Sequence, residues 1–154
     1  AFISFADFFS YIAVSGGSIQ ALILGVDAVA CTAIFFQLLK SKKVSFPNLG
    51  EWIAIILVVF ALVVWWISED AIQANIIICF ASAISFYPTF KGVWGEKKNE
   101  RPLAWCVHAA AYLTMLLGVL SEDWERIEVL APALLFTLHA GVAILATKKL
   151  NKNL

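Results

Sequence analysis

Five long apolar runs, each closed by a short polar stretch, organise this chain. They extend from about Ser18 to Leu39, Trp52 to Ile67, Ala71 to Phe90, Pro102 to Leu120 and Val129 to Thr147. A bilayer core of about 30 Å asks for roughly 20 apolar residues in a helix. Backbone groups inside it must be satisfied within their own segment, so helix is the expected state of all five. Residues 2–14 form a sixth apolar run, too short to span at about 1.5 Å per residue. Asp7 interrupts this run and Ser15-Gly16-Gly17-Ser18 breaks it off. The pattern predicts an interfacial segment over 1–17, a single transmembrane helical domain over 18–149, and a cytoplasmic tail over 150–154.

Composition supports the bilayer. Hydrophobic residues make up 62% of the 154 and charged residues 14%, against about 25% charged in soluble domains. A soluble chain of this length has too little interior to hide so much apolar surface. Net charge is zero, so no basic surface advertises nucleic acid. The charges are nevertheless sorted. Lys40, Lys42, Lys43, Lys91, Lys97, Lys98, Arg101, Lys148, Lys149 and Lys152 fall on one side of the predicted spans, and Arg126 falls on the other. The positive-inside rule then puts the N-terminus outside and the C-terminus inside. The outer loops carry Glu69, Asp70, Glu122, Asp123, Glu125 and Glu128. All six tryptophans (Trp52, Trp65, Trp66, Trp94, Trp105 and Trp124) sit at predicted span ends, as in an aromatic belt. The expected class is an all-α integral membrane protein of about five transmembrane helices, N-out and C-in. Its expected place is a bacterial-type inner or plasma membrane.

An internal repeat adds to this picture. Phe35-Phe36-Gln37-Leu38-Leu39-Lys40 aligns with Phe86-Tyr87-Pro88-Thr89-Phe90-Lys91, Trp52 with Trp105, and Ser68-Glu69-Asp70 with Ser121-Glu122-Asp123. The two copies, about 18–70 and 71–123, run in the same direction, and 129–147 is a closing helix. Apolar sequences align easily by chance; the shared Lys, Trp and Ser-Glu-Asp positions argue against chance here.

Few residues offer chemistry. Cys31, Cys79 and Cys106 each lie in an apolar run and read as buried thiols. The first residues show no basic n-region, so no signal peptide is expected after Ala1, the residue left by loss of an initiator methionine or by trimming. No Ser-His-Asp order, HExxH, P-loop or GxGxxG is present, and no bis-histidine spacing suggests haem. No enzyme, cofactor or metal site is expected. Ionisable residues within spans are costly and are functional suspects: Asp27 in the first span, His108 in the fourth and His139 in the fifth. An Asp–His pair in a dry interior can carry a proton. The competing reading gives each histidine a neighbouring carbonyl, and Asp27 a hydroxyl or imidazole. Gln20, Asp27 and Cys31 share one helical face, as do Asn75, Cys79 and Ser82, and Trp105, His108 and Tyr112. Those faces are expected to point inward. Ala110, Thr114 and Gly118, and Ala133, Thr137 and Gly141, repeat at four as helix-contact rows. Pro88 either bends its helix as a hinge or marks its end near Tyr87.

Ser85-Phe86-Tyr87-Pro88-Thr89-Phe90-Lys91 with Trp94, a basic loop, a span opening on Trp105, a short acidic loop and a last span ending in lysines resemble one triple-helix bundle of the PQ-loop superfamily, which includes the SWEET and SemiSWEET sugar transporters. The resemblance covers residues 71–149. Pro88 matches the family's proline, Thr89 stands in place of its glutamine, and Gln37 occupies the proline position of the first copy. The resemblance implies a transporter that rocks around a central pocket. The expected function is a small carrier for a small polar solute, with Asp27, Asn75, His108, Tyr112 and His139 as pocket or proton relay. The expected partners are the bilayer and either a second copy or a heteromeric membrane complex. The alternative is a non-transporting subunit or scaffold within a larger assembly.

Overall fold

A computed structural model describes residues 2–41, 46–47, 49–95, 100–121 and 126–152. The chain is all-α. Its helices are α1 (Phe2–Ser15), α2 (Ala21–Lys40), α3 (Leu49–Ser68), α4 (Ala71–Trp94), α5 (Pro102–Ser121) and α6 (Leu130–Lys152), with a 3-10 turn at Arg126–Val129 leading into α6. α2 to α6 are each long and apolar enough to cross a membrane, and α1 is shorter than a span. The five expected spans are therefore five helices. The expected basic and acidic loop residues Lys42, Lys43, Lys97, Lys98, Glu122, Asp123 and Glu125, together with Trp124, lie outside the described residues.

Local chemistry sets the helix ends. Ile12 accepts from the Gly17 amide at 3.2 Å, and Gly16 takes φ 64° and Gly17 φ 86°. This is a left-handed cap that closes α1, and glycine enters it without a Cβ penalty. Asp70 opens α4: its Oδ1 accepts from the amides of Ile72 at 2.9 Å and Gln73 at 3.2 Å, an N-cap worth about 1 kcal/mol. The Ser68 hydroxyl accepts from the Asp70 amide at 3.2 Å. The Ser68-Glu69-Asp70 motif is thus a turn-and-cap device, while most of its expected counterpart lies outside the described residues. α4 does not end at Tyr87. It runs through Pro88 to Trp94, because one lost backbone donor is tolerated in a membrane helix where neighbours and local adjustment re-satisfy the turn.

The chain divides into two compact units, Ala1–Ser82 and Ala83–Leu154, the boundary falling inside α4. In the first unit α1 packs on α2 and α3. Its core is a set of small-residue stripes: Ala21, Leu24 and Ala28 on α2, Ala54, Val58 and Ala61 on α3, and Ala74, Ile78 and Ala81 on α4. Small side chains let membrane helices approach closely, since apolar transfer gives no drive between helices already in lipid. In the second unit α5 packs along α6, and Val93, Val142 and Ala146 form a core with Phe86, Phe90, Trp105 and Leu145.

The expected contact rows are met in part within the single chain. Ala110, Thr114 and Thr137 are exposed, and the two threonine hydroxyls donate to Ala110 O and Ala133 O of their own helices. Gly141 does make a close contact. A Cβ there stands 3.0 Å from two ring carbons of Phe90. Gly141→Leu is expected to cost about 1–3 kcal/mol by overpacking, read as a lower unfolding midpoint of purified protein on titration with SDS. An unchanged midpoint shows that the Phe90 ring swings clear.

Candidate functional site

The first unit buries a hydrogen-bonded polar seam. Asp7 and Ser10 lie one turn apart on α1, and both are buried with Ala6 and Tyr11 on the same face. On α4, Asn75, Cys79 and Ser82 share one face, as their spacing predicts, and all three are buried. The two faces meet. Ser82 donates to both carboxylate oxygens of Asp7, at 2.9 and 3.2 Å. The Asn75 amide donates to Ser10 Oγ at 3.1 Å, and Ser10 donates to Asp7 O at 3.2 Å. The Cys79 thiol points at Asn75 Oδ1 at 3.9 Å.

Asp7 is therefore a carboxyl away from water, bound by one hydroxyl, with no basic partner among the described residues. Burial pushes its pKa up, to about 7; the Ser82 hydrogen bond acts in the opposite direction, and the charge of Asp27 adds to the rise. The segment read as interfacial thus turns its polar side chains into the unit. Sequence reasoning passed over Asp7 because its run is short. Its available signal was the i, i+3 placement of Asp7 and Ser10 in an otherwise apolar helix.

Asp27 lies on α2, partly exposed, with the Cys31 thiol 3.9 Å from its Oδ2. Gln20, on the same predicted face, is buried. Asn75 belongs to the seam. A shallow crease beside Leu62, Trp65, Trp66 and Glu69 follows the end of α3 alone and brings none of the expected residues together.

The second unit gathers His108, Tyr112 and His139. His139 on α6 is buried and is ringed by Phe86 at 4.8 Å, Tyr112 at 4.9 Å, His108 at 5.4 Å and Trp105 at 5.5 Å between centroids. The two imidazoles are nearly parallel, 6° apart. Each turns Nδ1 to the carbonyl one turn earlier in its own helix: His108 to Ala104 O at 2.8 Å and His139 to Leu135 O at 2.7 Å. A carbonyl only accepts, so Nδ1 carries the hydrogen in each contact. Trp105 Nε1 donates to Glu100 at 3.2 Å, which holds the indole at the edge of the cluster. Pro88 lies in the part of α4 that belongs to this unit, between Phe86 and Phe90. The sequence placed Trp105, His108 and Tyr112 on one face; Phe86 was missed as their neighbour. No group of three or more metal-ligating side chains occurs among the described residues. In comparisons with known proteins, no family model, curated protein or solved structure matches this chain.

Proposed function

We propose that this chain is a small membrane carrier for a small polar solute. The observation that supports this reading is that each compact unit buries ionisable side chains among helices apolar enough to span: Asp7 in the first, His139 in the second. Such groups are costly in a membrane protein, and they typically mark substrate or ion pathways. In this reading Asn75, Ser82 and Asp7 offer an amide, a hydroxyl and a carboxyl to a polar solute. His108, Tyr112 and His139 offer ring faces and imidazole nitrogens. Asp27 stands by as a second carboxyl, and Pro88 supplies a bend in α4 for the conformational step. The PQ-loop-like assignment enters on the sequence around Pro88 alone.

Reconstitution tests the proposal. Proteoliposomes diluted into isosmotic glucose, glycerol or alanine should swell faster than protein-free vesicles for at least one of the three. Asn75→Leu should abolish the difference while leaving the protein folded. A second reading, a non-transporting subunit of a membrane assembly, is favoured by α2. Every residue from Ala33 to Lys40 is exposed there, Phe35 and Phe36 included. Native mass analysis in mild detergent separates the two. Self-association with solute-dependent swelling fits the carrier. Co-purification with other chains and no swelling fits the subunit.

A further inference from the structure

We propose that Asp7 is a proton-binding site, and that the ion coupled to carriage is a proton taken up by this carboxyl. The second clause rests on the carrier reading; the first does not.

The geometry of the first unit carries the argument. Asp7 is 6% exposed. Among the described residues its two carboxylate oxygens receive one donor, the Ser82 hydroxyl, where an ionised carboxylate has about four lone-pair sites to satisfy. A carboxylate desolvated in this way is expensive unless it is paired, and the inexpensive remedy is a proton. Among the described residues, the surrounding side chains supply no cation. On α1 the neighbours are Ser10 and Tyr11. On α4 they are Asn75, Cys79 and Ser82. α3 carries one ionisable residue, Glu51, at its first turn. α2 contributes Cys31 and Asp27, whose like charge acts on Asp7. Lys40, the one basic residue of α2, closes the helix at its far end. Each of these neighbours is thus neutral or acidic; burial and the charge of Asp27 favour the protonated acid, and the hydrogen bond donated by Ser82 favours the anion.

A metal cation fits less well. A hard cation asks for about six oxygen ligands. Here Asn75 already turns its amide nitrogen to Ser10 and its Oδ1 to the Cys79 thiol. What remains is one carboxylate and its hydroxyl partner. A proton asks for one oxygen. The step makes a single O–H bond on a carboxylate oxygen, with the proton drawn from bulk water and returned to it; no electron moves.

Infrared difference spectroscopy on the full chain in nanodiscs, titrated from about pH 5 to about pH 9, reads the protonated carboxyl directly. A carbonyl-stretch band should persist well above the ordinary carboxylate range of about 4. Asp7→Asn, which keeps the shape and an acceptor for Ser82, should remove it. Ser82→Ala should move its midpoint up, because the donor that favours the anion is gone. Asp27→Asn should move it down, because a like charge is gone. A raised pKa also has a stability consequence with a definite sign. The stabilising neutral form is complete below about 4 and is lost as pH rises through about 7. The unfolding midpoint of the wild type should fall over that window and that of Asp7→Asn should not. A band that titrates in the ordinary range, survives Asp7→Asn, or shifts with sodium concentration overturns the site. The titration needs no transport. A protonated Asp7 in a protein that swells no vesicle leaves the site standing and removes the carrier. Carriage indifferent to pH, with the band intact, removes the coupling alone.

Discussion

His139→Ala is expected to lower stability by about 2–4 kcal/mol, the largest loss from any single truncation in the second unit. Two contributions set the figure. Removing the imidazole strips one partner from four ring contacts at 4.8–5.5 Å, and favourable ring pairs are each worth about 0.5–1.5 kcal/mol. It also leaves a cavity that Phe86, Trp105 and Tyr112, held on two different helices, close only in part. Apolar transfer contributes less than in a soluble core, since these helices already sit in lipid when apart, so packing carries most of the loss. The lost Nδ1 contact matters little, because Leu135 O still accepts the backbone amide of its own helix.

His139→Phe separates packing from chemistry. It keeps a ring among the four and is expected to cost less than about 1.5 kcal/mol. If the imidazole also serves the solute, His139→Phe should abolish vesicle swelling in a protein that unfolds close to wild type. The measurement is reversible unfolding in mixed micelles. An alanine variant within about 0.5 kcal/mol of wild type would mean that the rings collapse onto one another and that His139 is not the centre of the cluster.

What the sequence made legible follows from how far each signal reaches. Span number and type came from local hydrophobicity, which a bilayer turns directly into helix length, and the five helices match within a few residues at most ends. The end of α4 was less legible. Proline biases its predecessor out of helix, yet the helix continues to Trp94 because a membrane helix that loses its hydrogen bonds has no water to replace them. The common face of Trp105, His108 and Tyr112 was legible from spacing within α5. The stacking of His108 on His139 was not, since no spacing records which two helices pair or at what depth.

The row on α5 faces away from the chain's own core for a related reason. Ala110, Thr114 and Gly118 repeat every four residues, but the buried face of α5 is Ala109, Tyr112, Met115 and Val119, which at about 100° per residue lies on roughly the opposite side of the helix. A row of small residues marks where contact is possible without giving its direction. Asp7 shows the opposite case. Its helix is too short to span, so its carboxyl carried little weight in the sequence, and its burial against Ser82 exists only once α1 folds back on α4.

Sidedness gives an all-or-none expectation. Cysteines introduced at Ser41, Ser121 and Asn151 should label in an asymmetric pattern on intact cells: Ser121→Cys from outside, Ser41→Cys and Asn151→Cys only after permeabilisation. All three positions are exposed, so accessibility is decided by the membrane and not by the fold. Cys31, Cys79 and Cys106 are free thiols and Cys106 is exposed, so all three are first replaced by serine or alanine. Ten of the eleven Lys and Arg residues underlie the expected direction. Lys40 ends α2, Lys91 lies in the last turn of α4, Arg101 stands before α5, and Lys148 and Lys149 lie near the end of α6. If each of the five helices crosses once, those ends share one side, and Glu69 and Asp70 lie on the other. Basic residues flanking spans are retained on the cytoplasmic side, while acidic ones contribute little to orientation. The ratio is steep enough that no single lysine decides the outcome. Lys40→Gln or Lys91→Gln should therefore leave the labelling pattern unchanged. Labelling of Ser41→Cys from outside, with Ser121→Cys protected, would reverse the orientation and place the acidic α3–α4 turn in the cytoplasm. Labelling of all three from outside would mean that at least one of the five helices does not cross.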